Sequence, residues 1–305
     1  MSQITKEDDI DLRELVKIIW EGKWTIALLT TVFAIGAVLF SLSLPNVYKS
    51  HVLVAPADDE SSGGLAGLTG QLGGMAGLAG LSLPGGNEKV DLAIEIMKSR
   101  RFISDFISEY ELLPDLMAAK KWDKASNTLI YDESIYLAEQ EKWVRDVKAP
   151  YSPQPSMQEA YVEFRDLLTI TKEKEAGLIR ITIEHVSPLI AKQWLELLVK
   201  SINSEMKLET IEEADKSMYY LNRQLRKTSI ADIQSVLYAL IEEQTKKKMF
   251  AEVREEYVFK TIDPAIVPEL KSGPKRALIC ILITMLGFMV AFVIVALRYY
   301  LRKRG

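Results

Sequence analysis

Two long segments without a charged residue constrain the fold of this chain more than any other feature. Residues 24–44 and residues 277–297 each run for 21 residues without Asp, Glu, Lys or Arg. A helix of about 20 residues spans the hydrocarbon core of a bilayer, which is roughly 30 Å thick. One Lys or Arg at the centre of such a helix would cost about 2.5–3.5 kcal/mol of insertion free energy. The sequence therefore predicts two transmembrane helices that enclose a single large domain.

Two alternatives apply to these segments. Either could be a buried core helix, and the first could be a cleaved signal peptide, since Ser41-Leu42-Ser43 resembles a small-x-small cleavage site. A signal peptide begins with a short basic region. The residues ahead of the first segment are instead mostly acidic: Glu7, Asp8, Asp9, Asp11 and Glu14. We therefore expect an uncleaved anchor.

The basic residues beside the first segment predict its orientation, because cytoplasmic flanks are enriched in Lys and Arg. Four of them precede the segment, namely Lys6, Arg13, Lys17 and Lys23. Only Lys49 follows within twenty residues. We therefore expect the N-terminal segment 1–23 and the tail 298–305 in the cytoplasm of a bacterium, with the two helices in its inner membrane. Residues 45–274 would then form a periplasmic domain.

The predicted external part of the chain is acidic. Residues 46–274 carry 28 Lys and Arg against 36 Asp and Glu, a net charge of −8. This charge disfavours nucleic acid or an anionic lipid surface as a partner. The only cysteine, Cys280, lies in the second apolar segment, so no disulfide bond supports the external domain. Its core and oligomerisation must stabilise it instead.

Periodicity in the external part predicts an α+β fold. Val47 to Ala55 alternates as a strand, and Leu168 to Lys172 with Leu178 to Glu184 forms a hairpin. Residues 88–111 predict an amphipathic helix pair broken near Ser99. Inward-facing positions of this pair are Val90, Ile94, Met97, Phe102, Phe106 and Ile107. Further on, Ser156 and Glu159 form a capping box at the start of another helix.

The longest predicted element is a helical region at residues 188–256. Ser187-Pro188 is an N-cap and first-turn pair, and no Gly or Pro follows until at least Arg226. A short coiled-coil seam steps by three and four along this helix: Ile211, Ala214, Met218, Leu221 and Leu225. A second helical stretch from Ile230 could fold back on the first. The expected architecture is a base domain with a long projecting helix or helical hairpin.

Between residues 63 and 86, nearly every third residue is Gly, with Leu, Ala and Met between the glycines. A flexible linker and an apolar contact with a neighbouring subunit or the membrane surface both stay open for this Gly-rich loop. A phosphate-binding loop is not predicted, because neither Gly-Lys-Ser nor Gly-Lys-Thr follows.

The chain lacks the common sequence patterns of enzymes. His51 and His185 are its only histidines, and neither has the spacing of zinc ligands. Neither Gly-x-Ser-x-Gly nor HExxH occurs. We therefore predict no catalytic residue, no cofactor and no metal site. A membrane-anchored glycan-active enzyme stays open as an alternative, because paired carboxylates follow no local spacing rule. A two-span sensor subunit is the other alternative.

Two short patterns lie near the ends of the chain: residues 10–20, IDLRELVKIIW, with Lys23-Trp24, and Pro264, Pro268, Pro274 and Lys275 followed by Gly287. Both patterns resemble the ends of the Wzz-type polysaccharide co-polymerases, which determine the chain length of O-antigen and related surface polysaccharides. The ending resembles the family pattern of a proline-rich segment, a Ser-Pro-Lys, eleven residues and a Gly. The chain departs from this pattern at two points: Gly273 interrupts Ser-Pro-Lys, and three residues rather than two separate the first two prolines.

The resemblance implies an α+β base near the membrane, a long helix and a ring-shaped homo-oligomer. It implies a non-catalytic regulator that acts with a Wzy-type polymerase on a glycan linked to undecaprenyl diphosphate. Without a Walker loop, the chain would fall in the class that lacks the cytoplasmic kinase. Within the second membrane helix, Gly287 and Ala291 form a small face for close helix packing. We expect this face to contact the Gly36-Ala37 region of the first helix or a neighbour.

Overall fold

The computed structural model describes residues 12–57, 86–173 and 177–304. The chain divides into two compact units, one formed by Met1–Asn46 with Ser272–Gly305 and the other by Val47–Lys271. Most of the Gly-rich loop 63–86 lies outside the described residues.

The described chain contains both helices and strands, as predicted. In chain order the helices are α1 (Leu12–Ser43), α2 (Gly86–Lys98), α3 (Arg100–Glu109), α4 (Leu113–Met117), α5 (Met157–Leu167), α6 (Pro188–Leu225), α7 (Ala231–Val253) and α8 (Arg276–Arg304). The strands are β1 (Tyr48–Pro56), β2 (Ala119–Asp123), β3 (Thr128–Tyr131), β4 (Tyr136–Leu137), β5 (Lys142–Trp143), β6 (Leu168–Lys172), β7 (Ile179–His185) and β8 (Phe259–Asp263). A short 3₁₀ turn, Ala138–Gln140, precedes β5.

A four-stranded antiparallel sheet forms the base of the second unit, in the order β6-β7-β1-β8. In its register, Ile181 of β7 lies between Val52 of β1 and Ile170 of β6. Successive side chains of a strand point to opposite faces, so one face of the sheet carries the buried apolar residues. The antiparallel pairing of β6 with β7 confirms the predicted hairpin. Two small hairpins, β2-β3 and β4-β5, lie between α4 and α5.

Helices α2, α3, α5 and α6 supply the other side of the core. The six inward-facing residues predicted for the first helix pair are all buried, and Ser99 separates the two helices by capping α3. The predicted capping box is present at α5, where the Ser156 hydroxyl accepts from the Glu159 N–H. Arg145 donates to the Glu159 carboxylate at 2.7 Å. These hydrogen bonds, Arg145 foremost and then the Ser156 N–H, lower the pKa of Glu159 to about 2.

Helix α6 carries one buried polar residue that joins it to the far edge of the sheet. The Asn203 side-chain oxygen accepts from the N–H groups of Val258 and Phe259 at 2.8 and 2.9 Å. Its amide nitrogen donates to the Phe259 carbonyl at 2.9 Å. One side chain thereby satisfies three buried backbone groups where the chain leaves α7 and enters β8.

His185 is buried at the end of β7, next to the ring of Trp194. Its Nδ1 accepts from the Ser187 N–H, so its Nε2 donates to the Asp115 carbonyl at 3.0 Å. Burial lowers the pKa of His185 below its ordinary value of 6.5. The neutral imidazole therefore belongs to the folded state. Within the described ranges, no group of three or more His, Cys, Asp and Glu side chains is placed to hold a metal ion.

Replacing Asn203 should destabilise the second unit. Asn203→Leu removes the acceptor of two buried N–H groups, each worth about 1–3 kcal/mol when left unsatisfied, so the free energy of unfolding should fall by at least about 2 kcal/mol. Thermal unfolding of the full chain in detergent measures this. The matched control is Asn222→Leu on the exposed part of the same helix, where the amide donates only to the Met218 carbonyl. Equal changes in the two variants would contradict the assigned role.

His185 should make folding sensitive to acid. Below pH 6.5 the unfolded chain binds a proton at this residue that the folded chain excludes, so the free energy of unfolding falls as pH drops. His185→Gln should flatten the dependence of the unfolding temperature on pH between about pH 7 and pH 5. His51→Gln, on the neighbouring strand β1, controls for the loss of a histidine. An unchanged slope in His185→Gln would refute this prediction.

Candidate functional site

The first unit consists of the two apolar helices, and each could cross a membrane. Gly22–Ser43 of α1 and Arg276–Arg298 of α8 are long and apolar enough to span a bilayer. Only 17% of each apolar window is buried within the structure. Large apolar side chains such as Leu28 of α1 and Ile281 of α8 therefore face outward, as lipid-facing residues do.

The two helices pack antiparallel through small residues. Ala291 of α8 is fully buried against Ile26 and Val295. At Gly287, an added Cβ would lie 2.5 Å from the Cβ and Cγ of Phe33, so only glycine leaves room for this ring. Val295 similarly fills the space that Gly22 of α1 leaves open. Such small residues let membrane helices approach closely.

The structure refines the predicted contact of Gly287. Its nearest neighbour on α1 is Phe33, about one turn before Gly36-Ala37. Ala37 is buried, whereas a Cβ at Gly36 would meet no atom within 4 Å. The Phe33 ring of α1 therefore packs against Gly287 of α8, so this contact does not pair one glycine with another.

Arg276 joins the ends of the two helices and was not singled out from the sequence. Its guanidinium donates to the Leu44 carbonyl at 3.2 Å and to the Asn46 side-chain oxygen at 3.1 Å. Leu44 directly follows α1, so the cation lies where a helix C-terminus favours positive charge. The predicted site residues Pro274 and Lys275 come just before it, and the exposed Lys275 supplies the carbonyl that accepts the Leu278 N–H.

The predicted site residues Pro264 and Pro268 belong to the second unit, in the irregular stretch after β8. This stretch is tied to the domain. Ala265 is buried in the core, and the Ser50 hydroxyl donates to the Ile266 carbonyl at 2.8 Å. The proline segment is therefore held against β1 in its first part, which a free linker would not be.

Helices α6 and α7 form the predicted antiparallel hairpin in the second unit. The residues of α7 that are not exposed recur at steps of three and four: Gln234, Leu237, Ile241, Gln244, Lys248 and Ala251. All five residues predicted for the seam of α6 are likewise buried or half-buried. The seam also includes Thr210 and Ser217, which apolar periodicity could not reveal. In α7, three of the six seam residues are polar, namely Gln234, Gln244 and Lys248, which is unusual for a coiled coil.

Comparison with known families identifies the N-terminal third of the chain. The family model described as "Wzz: Chain length determinant protein" matches residues 8–110. This part of the chain is therefore similar to the Wzz family. The matched residues run from just before α1 through β1 to the end of α3, so they include the first apolar helix and part of the base. The family resemblance predicted from the sequence is thus confirmed by its N-terminal part, and the pattern at the other end stays a prediction.

Two similar proteins cover nearly the whole chain, and a third covers three quarters of it. One relative is the ferric enterobactin transport protein FepE of Escherichia coli (strain K12), which is 22% identical over 350 residues, covering 97% of this chain and 91% of FepE. A full-length bacterial polysaccharide co-polymerase is a structural neighbour with a TM-score of 0.40 and 15% identity, covering 97% of this chain and 99% of its own. A fragment of WzzB, a polysaccharide co-polymerase from Salmonella Typhimurium, gives a TM-score of 0.29 and 11% identity, covering 75% of this chain and all of the fragment.

Enlarging Gly287 should separate the two apolar helices. Gly287→Leu places side-chain atoms where Phe33 lies, so we expect a lower unfolding temperature of the full chain in detergent. Gly36→Leu is the matched control, because a Cβ there meets nothing within 4 Å. If the face formed by Gly287 and Ala291 also determines function, oligomer mass and surface-glycan length should change as well, and both are measured in the same variants. If Gly287→Leu behaves like Gly36→Leu in all three measurements, the packing role is wrong.

Proposed function

We propose that this chain is a non-catalytic regulator of the length of a surface polysaccharide of the O-antigen type. The match of residues 8–110 to the Wzz family carries this proposal. The resemblance of the proline segment and of Gly287 to the family pattern supports it from the other end of the chain. A non-catalytic regulator acts through its contacts with other molecules. The surfaces of the α1-α8 helix pair and of the α6-α7 hairpin are therefore the parts that carry its function.

The proposed location is the bacterial inner membrane, with both termini in the cytoplasm and Val47–Lys271 in the periplasm. The excess of Lys and Arg before α1 supports this orientation. The contact of Arg276 with Leu44 supports the two-pass arrangement, because the chain leaves α1 and enters α8 at the same end of the helix pair. A segment that connects these ends starts and finishes on one side of the membrane.

The proposed partners follow from the family. They are further copies of this chain in a ring, a Wzy-type polymerase in the same membrane, and the growing glycan on undecaprenyl diphosphate. The exposed apolar side chains of the hairpin, such as Val236 of α7 and Leu208 of α6, offer surface for protein contacts. The outward side chains of α1 and α8 offer surface for lipid and for helices of the polymerase.

Deleting the gene should change the length distribution of the surface polysaccharide and leave its synthesis intact. Gel electrophoresis of the polysaccharide from deletion and complemented strains measures both properties. Restoration of the preferred length by the full chain would support regulation. Loss of all polymer would point to an enzyme of synthesis, and an unchanged length profile would exclude a regulatory role.

A further inference from the structure

The proline segment between β8 and α8 exposes a group of apolar side chains. Ile266 is 62% exposed, and Leu270 is 85% exposed, more than any other large apolar side chain that the structure describes. Val267 between them is 39% exposed. Single exposed apolar residues are normal on a protein surface, whereas a group of them marks a surface that contacts another molecule or a membrane. Three such residues within five consecutive positions therefore indicate a contact surface.

The exposure of Ile266 is a property of the fold. Its neighbour Ala265 is buried in the core, and the buried Ser50 hydroxyl donates to the Ile266 carbonyl at 2.8 Å. Both contacts hold the backbone of the segment against β1, and the Ile266 side chain is nevertheless exposed. The segment therefore presents this side chain outward from a fixed position, which a loose linker would not do.

The segment runs toward the end of the sheet at which the chain leaves α1. Strand β8 is antiparallel to β1, and the contact of Ser50 with Ile266 continues this direction toward Tyr48, the first residue of β1. Tyr48 follows Ser43, the last residue of α1, by five positions, which span at most about 18 Å. This end of the sheet is therefore tied by a short connection to the first apolar helix.

The other end of the segment has an equally short connection to the second apolar helix. Leu270 precedes Arg276, the first residue of α8, by six positions, which span at most about 22 Å. With α1 and α8 in the membrane, as proposed above, both connections limit how far Leu270 can lie from the bilayer surface. The headgroup region begins there and extends about 5–8 Å beyond the hydrocarbon core.

We propose that the side chains of Ile266, Val267 and Leu270 insert into the headgroup region of the periplasmic leaflet of the membrane that α1 and α8 cross. The inference rests on the proposed function, because it requires the proposed two-pass arrangement. Apolar side chains that enter this region bind lipid by burying apolar surface. The contact therefore needs no anionic lipid, in agreement with the acidic character of residues 46–274.

A second copy of this chain is the competing occupant of the segment. Charged residues are depleted at the centre of protein interfaces. Leu270, however, lies between two exposed charged residues, Glu269 and Lys271. The headgroup region accommodates charged side chains next to apolar ones that reach deeper. The sequence around the most exposed residue therefore favours lipid over an apolar contact between copies.

Fluorescence of a single label on the full chain tests the proposal. Cys280 is the only cysteine, so Leu270→Cys in a Cys280→Ser background carries one environment-sensitive fluorophore. The chain is measured in phosphatidylcholine nanodiscs, with and without lipids that carry a quenching nitroxide at the headgroup. We expect a blue-shifted emission and a loss of intensity with the nitroxide lipids, because the label lies among the headgroups.

Two control positions use the same Cys280→Ser background. Val253→Cys is the matched control, because Val253 is 82% exposed at the end of α7 and precedes Arg276 by 23 positions. We expect neither a blue shift nor quenching at this position. Ile281→Cys is the control for lipid contact, because this residue of α8 is 66% exposed within the apolar span.

Quenching at Leu270→Cys without quenching at Val253→Cys would support the proposal. Equal behaviour of these two labels would overturn it. A blue shift that the nitroxide lipids do not quench would also overturn it and would assign the segment to contacts between copies. Absence of quenching at Ile281→Cys would refute the membrane location on which the proposed function relies, whereas quenching at Ile281→Cys but not at Leu270→Cys would refute only the lipid contact.

Discussion

The second unit depends on the continuity of α6. No Gly or Pro interrupts its 38 residues after Pro188, so the helix runs for about 57 Å. Its first half completes the core, with Trp194, Leu198 and Ile202 buried against the sheet. Beyond Ala214 none of its residues is fully buried. A helix that leaves its core needs another element to cover it, and α7 is that element.

The hairpin is anchored at its base more firmly than along its length. Asn203 binds the backbone just before and within β8, and the Lys207 ammonium donates to the carbonyls of Glu252 and Arg254 at the end of α7. A cation at these carbonyls also matches the negative end of the helix dipole. Further out, Lys247 pairs with Glu213 and Lys248 with Asp215, and such partly exposed pairs contribute little. The base of the hairpin is therefore held by buried hydrogen bonds, whereas the outer part has a partly polar seam and exposed ion pairs.

The sequence predicts the features that depend on neighbouring residues. The cap at Ser187, the capping box at Ser156 and the inward face of α3 all follow from local spacing, and the structure confirms them. Asn203 and Arg276 escaped prediction because their partners lie 55 and more residues away. A polar residue within a helix, or a basic residue beside a membrane segment, is usually solvated. Only the fold places them against backbone groups.

The candidate site likewise combines features that the sequence predicts with contacts that it does not predict. The packing role of Gly287 is predicted from a sequence motif. Its partner Phe33 is not, because apolar periodicity does not show which residue of the neighbouring helix packs against a glycine. Ser217 was missed for the opposite reason, since a seam is recognised by its apolar members. Contacts of this kind depend on the fold that brings two segments together, so a pattern within one segment cannot predict them.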